Sequence, residues 1–342
     1  MRYYDIQITS PEGQPIKAWT TFFDGTQIQN PNAQDVEFDL MSYDFANPMG
    51  DSSLTVWGVS LQDIGENFRF GPTAAGEFGI GSQATNGFNI VIKGGMGGGL
   101  PLENPAQAGP IFAGNIWQAW GNWVGTDMNI GFICKGAPFT LIQPGNFSFY
   151  LPTGGSLASA IQTTLQTATA SMQPQPQIVI SINDTAYNFP DAEVGVFSTM
   201  QGFAQRIQRI TSPLNPPGVS IVASGGRILV SDGSYQPKRV QINFTDLVGQ
   251  PTWTGQYQVQ IVVVMRGDIS VNDQVVMPSG YMAAPGLNVS LPTSYASYRN
   301  SPQFNGPYWV KAVRHVGRFR DPDGTAWITI LQCVPVNVNV PT

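Results

Sequence analysis

The sequence predicts a mainly β protein in which a small α+β insert separates two β-rich parts. Short runs of β-branched and aromatic residues recur along most of the chain, which is also rich in the turn formers Gly (38) and Pro (27). Sustained helical periodicity of apolar residues is found only at residues 150–235. Charged residues make up 11% of the chain, against about a quarter in typical soluble domains. Such low charge is common in permanent assemblies, because charges are costly to bury.

A chain of 342 residues is long enough for two or three domains, each with its own core. We predict a β domain at residues 1–150, a small α/β domain at 151–236 in which a helix-then-strand unit occurs twice, and a second β domain at 237–342. The boundaries follow the change from β-type to helical patterns and back.

The first β domain is predicted from a series of short β-type runs. They lie at residues 3–9, 17–23, 36–40, 54–59, 89–93 and 129–134. Strands of this length and spacing are typical of a barrel or a sandwich. Residues 61–68 are predicted as a helical turn.

Residues 94–124 are predicted to form a long loop that packs against another chain. They begin with five glycines in six residues and contain Trp117, Trp120 and Trp123. The glycines do not form a phosphate-binding loop, because no Lys-Ser or Lys-Thr follows them and two prolines oppose a helix. The three tryptophans could be a carbohydrate platform, although an interface or the chain's own core is more typical of such clusters.

The central region is predicted to contain two amphipathic helices. Ser156 is the expected N-cap of the first, and Ser198 with Gln201 resembles a capping box for the second. The apolar stripes are Leu157, Ile161, Leu165 and Ala168 in the first helix and Phe203, Ile207 and Ile210 in the second. A strand at 177–182 follows the first helix, and a hairpin at 219–230 follows the second.

The last region is predicted to be β structure that ends in a hairpin. Runs at residues 240–244, 256–265 and 288–291 precede two longer runs at 308–316 and 326–334. Between the last two, Asp-Pro and Asp-Gly favour a chain reversal. We therefore predict an antiparallel hairpin whose strands are half-buried.

Charge and cysteine content restrict the possible partners and compartments. The formal charge of −6 offers no basic footprint for stable nucleic-acid binding. No stretch approaches the ~18 apolar residues that a membrane helix needs, and the first residues lack the apolar segment of a secretory signal. We therefore expect the protein to be made and folded in a cytoplasm, without stable membrane insertion. Cys134 and Cys333 are predicted to be reduced core residues.

The sequence contains no recognisable catalytic or metal-binding pattern. The single histidine, His315, lies in a predicted strand and is interpreted as structural, which leaves no base for a Ser or Cys nucleophile. One histidine and two distant cysteines do not suit a zinc site, and Asp321-Pro-Asp323-Gly lacks the acid that completes a calcium loop. No local pattern favours a carboxylate pair for glycoside cleavage. We predict that the chain is not an enzyme and has no metal or cofactor.

The final hairpin resembles the last barrel hairpin of contractile-tail bacteriophage baseplate hub proteins. The resemblance is carried by FNGPYWVKAVRHVG at residues 304–317, the polar tip that follows, and GTAWIT at 324–329. The Leu100-Pro-Leu run and the GNWVGT run at 121–126 resemble a group of hub proteins from tailed phages of Gram-negative hosts.

This resemblance implies a fold and an assembly. It implies two tube-like antiparallel β-barrels that flank the helix-containing domain, the second ending in the hairpin at 308–334. Hub proteins are homotrimers whose six barrels meet the hexameric tail tube and which hold the trimeric spike, with DNA only in transit through the lumen. The implied partners are itself, the tail tube protein, the central spike protein and other baseplate proteins in the virion tail baseplate. The expected interface residues are Leu100, Trp117, Trp120, Asn122 and Trp123.

A tail fibre or receptor-binding protein of a phage virion is the alternative. It would share the β-rich composition with little charge, but fibres usually show repeats, and the sequence has no repeat of fixed period. A tail-associated glycosidase is a third possibility, which the lack of a visible site disfavours.

Overall fold

The computed structural model describes most of the chain, and the described residues form 18 β-strands and three α-helices. The described residues are 2–22, 29–43, 51–66, 69–72, 87–97, 104–136, 147–170, 175–216, 218–224, 227–255, 257–278, 304 and 306–336. The helices are α1 (Leu61–Glu66), α2 (Leu157–Thr169) and α3 (Met200–Thr211). The first strands are β1 (Arg2–Thr9), β2 (Pro15–Thr20), β3 (Asp35–Tyr43), β4 (Asp51–Trp57), β5 (Asn89–Met96), β6 (Gly109–Val124), β7 (Asp127–Lys135), β8 (Phe147–Leu151) and β9 (Gln177–Ser181). The others are β10 (Glu193–Phe197), β11 (Ser220–Ser224), β12 (Arg227–Ser231), β13 (Arg239–Gln241), β14 (Thr252–Gly255), β15 (Gln258–Val264), β16 (Gln274–Met277), β17 (Gly306–Arg318) and β18 (Trp327–Pro335).

Thirteen strands form one sheet that runs through both β-rich parts. The path is β14-β15-β18-β17-β3-β4-β7-β6-β5-β1-β2. Two strands lie off this path: β16 pairs with β17, and β13 pairs with β16. Strand β17 joins the parts, because residues 306–309 pair with β16 while residues 312–318 pair with β3. The mainly β prediction is confirmed. Within the described residues the sheet does not close into a barrel, so the two-barrel arrangement stays a prediction.

The two β-rich parts have the same strand order. In the first part the order is β3-β4-β7-β6-β5-β1, and in the last part it is β14-β15-β18-β17-β16-β13. The long hairpin β6–β7 therefore corresponds to β17–β18. The neighbours in both series are antiparallel, except that β13 pairs with β16 in parallel. The two parts therefore share one strand order and differ in the direction of β13, although no repeat is visible in the sequence.

A bulge divides the first strand of each long hairpin at the same place. The register of the hairpin shifts by one residue at Trp117 in β6 and at Lys311 in β17. In each strand seven residues follow the bulge, 118–124 in β6 and 312–318 in β17. A bulge bends the strand and increases its twist. The bulge therefore divides each hairpin into a half before it and a half after it, and the second half ends at the hairpin turn.

Three clusters of buried side chains form the cores. One lies in the first β part, one in the central region and one in the last β part. Trp327 of β18 belongs to the first cluster, and its Nε1 donates a hydrogen bond to the Gly95 carbonyl at 2.9 Å. The predicted boundary at residue 150 lies inside β8, which pairs with β10.

Arginines fasten the hairpin β17–β18 to the first part. The Arg2 guanidinium donates to four carbonyl oxygens at the hairpin turn, those of Arg318, Phe319, Asp321 and Asp323. Arg314 donates to both carboxylate oxygens of Asp39 on β3, at 2.7 and 2.5 Å. The hairpin β17–β18 is therefore held in place by the first β-rich part as well as by the last β-rich part, to which it belongs.

A buried ionic cluster lies where β15 ends. The Arg266 side chain is 3% exposed and bonds to Asp268 at 2.8 Å and to Asp246 at 3.1 Å. Gln107, from the segment that precedes β6, donates to Asp246 at 3.2 Å, and its carbonyl accepts from Gly267 at 2.7 Å. The cluster thus ties the last β part to the start of β6.

The helices form largely as predicted. Ser156 caps α2, and its hydroxyl accepts from the Ser159 N–H at 3.1 Å. The N-cap of α3 is Thr199, which accepts from the Gly202 N–H, so the predicted cap at Ser198 is wrong by one residue. Thr199 has the extended backbone that an N-cap requires.

The prediction of a long loop at residues 94–124 is wrong. Strand β5 continues to Met96 and β6 starts at Gly109. The glycines of β5 serve close packing within this chain, since a Cβ at Gly94 or Gly95 would lie 2.8 Å from Ile111 or Ala108. Leu100 and the run predicted at 288–291 lie outside the described residues.

The strand predicted at 240–244 ends early, whereas the strand predicted at 256–265 is found as β15 and starts at Gln258. Strand β13 ends at Gln241, and a 3-10 turn follows at Phe244–Asp246. Tyr257 has a φ of 62°, which separates β14 from β15. A left-handed residue cannot continue a strand, and this conformation leaves no signal in a run of β-forming side chains.

Candidate functional site

The candidate interface is the hairpin tip, which we define as residues 118–127 of β6 and β7. Val124 faces Asp127 across a two-residue turn, in which Gly125 has a φ of 62°. Positive φ is required in tight hairpin turns, and glycine adopts it without strain. Gly-Thr between two β-type runs is a sequence signal for this hairpin that the loop prediction overlooked.

The tip exposes two of the three predicted tryptophans. Trp120 is 42% exposed and Trp123 is 61% exposed. The Trp120 ring lies against Gly131 on β7, where a Cβ would be 2.5 Å from the indole. The Nε1 of Trp123 donates to the Gly125 carbonyl at 2.9 Å. These positions exclude the chain's own core as the place of Trp120 and Trp123.

The other predicted interface residues differ in their surroundings. Asn122 is exposed and lies between the two exposed tryptophans on β6. Trp117, the bulge residue, is half-buried, and the Lys135 ammonium lies 5.9 Å from the centre of its ring. The role of these residues at an interface stays a prediction.

The tip has an open edge. On one side β6 pairs with β7 as far as Val124, whereas on the other side β5 covers β6 only from Gly109 to Asn115. In the described parts of the chain, no strand pairs with that second edge at residues 118–124. The corresponding half of β17 is covered by β3.

The tip is also free of charge until its last residue. Residues 118–126 contain no Asp, Glu, Lys or Arg, and Asp127 is the first charged side chain. Long, flat, apolar strand edges are normally protected by charges, prolines or a covering element. The edge strand β2 shows such protection, with Pro15, Lys17 and a bulge in its pairing with β1. Residues 118–126 of the tip contain neither the charges nor the prolines that protect β2.

His315 is structural. It is 4% exposed, and its Nδ1 lies 3.0 Å from the Thr329 hydroxyl. Burial lowers the pKa of His315 to about 3, so the ring is neutral at ordinary pH. Cys134 and Cys333 are free and buried, and burial raises the pKa of both thiols, which makes them inert.

The described residues offer no other chemical centre. They contain no group of three or more His, Cys, Asp or Glu side chains placed to hold a metal ion. A cleft of about 440 Å³ lies between the central region and β17, and its lining includes Trp309 and Lys311 but no carboxylate, histidine or cysteine. No helix in the described ranges is long and apolar enough to cross a membrane.

Comparison with known proteins identifies a similar fold. No protein-family model and no curated protein matches the chain. The 43 kDa tail protein of prophage MuSo2 from Shewanella oneidensis has a similar structure, with a TM-score of 0.50 and 8% identity over 98% of this chain and 97% of that one. This chain has a fold similar to that of a phage tail protein.

Two further solved structures have lower scores. A tail protein from Neisseria meningitidis MC58 has a TM-score of 0.47 and 9% identity over 98% of this chain and 96% of that one. An E. coli component of the type VI secretion system, described as structurally similar to the T4 bacteriophage tail proteins gp27 and gp5, has a TM-score of 0.42 and 8% identity over 90% and 75%.

Proposed function

We propose that this chain is a structural component of a phage tail, the hub of a contractile-tail baseplate. In this role it is a homotrimer that joins the hexameric tail tube to the trimeric spike around the channel for DNA. The observation that carries the proposal is the strand order that the two β-rich parts share. Three chains would present six similar parts to the six-fold tube, while the trimer itself would match the three-fold spike.

The similarity to the Shewanella tail protein supports a tail function. It extends over nearly the whole of both chains, so both β-rich parts and the central region contribute to it. The net charge of −6 also suits a channel that DNA passes without binding.

The hairpin tip supports self-association. Trp120 and Trp123 expose roughly 150–260 Å² of surface, if a tryptophan buries about 150–250 Å² when fully enclosed. Exposed aromatic anchors in a charge-free setting are typical of interface centres. Their contribution is a hot spot within an interface that usually buries about 800 Å² per partner.

Replacement of the exposed tryptophans tests this interface. We expect Trp123→Ala and Trp120→Ala to weaken the trimer, so that light scattering at falling protein concentration detects monomers before it does for the wild type. Leu214→Ala is the matched control, because Leu214 is 45% exposed in the central region. Trp variants that fold and remain as trimeric as the control would exclude the tip from the interface.

The copy number in purified tails tests the function itself. A hub is expected at three copies per tail, and the tube protein at multiples of six, when both are counted by quantitative mass spectrometry. Absence of the chain from tails, or a fibre-like excess over three copies, would contradict the hub role and favour the alternative of a tail fibre or receptor-binding protein.

A further inference from the structure

We propose that residues 118–124 of β6 pair, as an added strand, with the open edge of β14 in the next copy of this chain. The inference rests on the proposed trimer and names the strands that join its copies. Each chain would pair through its β6 edge with one neighbour and through its β14 edge with the other neighbour. A ring of identical chains requires such head-to-tail contacts.

A joint of the same kind is already present within one chain, between β17 and β3. Residues 312–318, which follow the bulge in β17, pair with β3, the strand at the edge of the first β part. Strand β17 corresponds to β6, and β3 corresponds to β14, in the strand order that the two parts share. The joint β17–β3 therefore predicts a second joint of the same kind, β6–β14, which the described residues of one chain do not make with each other.

Among the described residues, neither edge needed for the second joint pairs with a strand. Strand β14 is the last strand of the sheet path, and within the described residues its second edge has no strand partner. The two edges also suit each other, since neither residues 118–126 nor residues 247–257 contain a charged side chain. No charge would be buried without a partner when the edges meet. Pro251 lacks an N–H and precedes β14, so the pairing would start at Thr252.

The register of the joint follows from the two sheets. In the first part, a row of facing residues runs from the first residue after the bulge to the edge strand: Gln118, Ile133, Ser53 and Asp39. In the last part, the same row is Ala312, Gln332, Gln260 and Thr252.

Asp39 and Thr252 are thus equivalent positions. Asp39 faces Val316, the fifth residue after the bulge in β17. The fifth residue after the bulge in β6 is Asn122. The joint therefore places Asn122 opposite Thr252 of the neighbouring copy.

Cysteine cross-linking tests this register. Facing residues in an antiparallel pair have Cα atoms about 4.5–5.5 Å apart, within the range of a disulfide. We expect the double variant Asn122→Cys with Thr252→Cys to form covalent trimers on mild oxidation, seen on a non-reducing gel. Either single variant alone should remain uncross-linked, and a mixture of the two singles should yield dimers only. The buried Cys134 and Cys333 do not compete.

Two controls make the result specific. Val316→Cys with Asp39→Cys occupies the equivalent joint within one chain, so it should form a disulfide without a change in mass. Asn122→Cys with Lys17→Cys tests the protected edge of β2 and should not cross-link.

Each other outcome overturns a defined part of the account. Dimers from Asn122→Cys alone would mean that two tips meet each other, and cross-linking to Lys17→Cys would mean that β2 is the partner; either overturns the β6–β14 joint. A protein that is trimeric by light scattering but does not cross-link at Asn122 and Thr252 likewise overturns the joint and leaves the proposed function standing. A protein that is monomeric overturns the proposed trimer itself.

Discussion

Arg266 holds a charge in the interior, beside the start of β6. Its side chain is 3% exposed, and its guanidinium contacts the carboxylates of Asp246 and Asp268. Removal of one side of a buried ion pair leaves the other charge without compensation, which costs more than the pair contributes. We expect Arg266→Met to lower the free energy of unfolding, measured by urea denaturation, by about 3–5 kcal/mol.

Arg314→Met is the matched control for this prediction. Arg314 and Asp39 form a pair of the same chemistry, but both side chains are 42% exposed. Water and salt screen such a pair, so the loss should be below about 1 kcal/mol. Equal losses in the two variants would show that the burial of Arg266 does not set the stability of its cluster.

His315 gives the protein a pH dependence that can be isolated, because the chain has a single histidine. Burial lowers the pKa of His315 to about 3, whereas an unfolded histidine titrates near 6.5. As the pH falls below about 6.5, the unfolded chain binds a proton that the folded protein does not bind until about pH 3. Stability is therefore lost as the pH falls through this window.

The variant His315→Asn removes this dependence and leaves every carboxylate in place. We expect the free energy of unfolding of the wild type to fall relative to the variant by about 2 kcal/mol between about pH 7 and about pH 5. Denaturant titrations at the two pH values measure it. A difference between the two proteins that does not change with pH would mean that His315 has the same pKa in the folded and unfolded states.

At the scale of elements, the start of β6 crosses the segment after β15 at two glycines. A Cβ on Gly267 would lie 2.5 Å from the Gly109 carbonyl oxygen, and backbone cannot move aside as a flexible side chain can. We expect Gly267→Ala to cost about 1–3 kcal/mol, read as a lower Tm. Gly324→Ala is the control, since no atom lies within 4 Å of the added Cβ. A Gly267 variant as stable as this control would contradict the close crossing.

Elements with strong local signals could be predicted from the sequence. The stripe at Leu157, Ile161 and Leu165 together with the Ser156 cap predicted α2, and the Asp-Pro and Asp-Gly reversal predicted the hairpin β17–β18. Strand β6 was missed because neighbouring glycines and prolines dominate local patterns, although they pack against this same chain.

Pairing between distant elements leaves no local pattern. Arg314 and Asp39 are 275 residues apart in the sequence, so the joint between β17 and β3 could not be predicted. The same limit applies to the candidate interface. The tryptophans were found from composition, but the open edge beside them depends on where β5 stops, and only the three-dimensional structure gives that position.

At the scale of the whole molecule, the shared strand order connects the fold to the proposed ring. The two β-rich parts have the same strand order and are already joined edge to edge within the chain by β17 and β3. In the described part of each chain, one further strand edge has no strand partner at the hairpin tip, and another has none at β14. A closed ring of three chains would cover all of these edges, whereas an isolated chain leaves a charge-free strand edge exposed, which favours aggregation.

The symmetry of the purified protein is the most direct test of the proposed three-fold ring. Electron microscopy of single particles, with the mass measured on the same sample, should show a ring of three-fold symmetry with six similar lobes around a central opening. The mass should be three times the 36.9 kDa of one chain. A monomer of 36.9 kDa, or an elongated shaft without a central opening, would contradict the account.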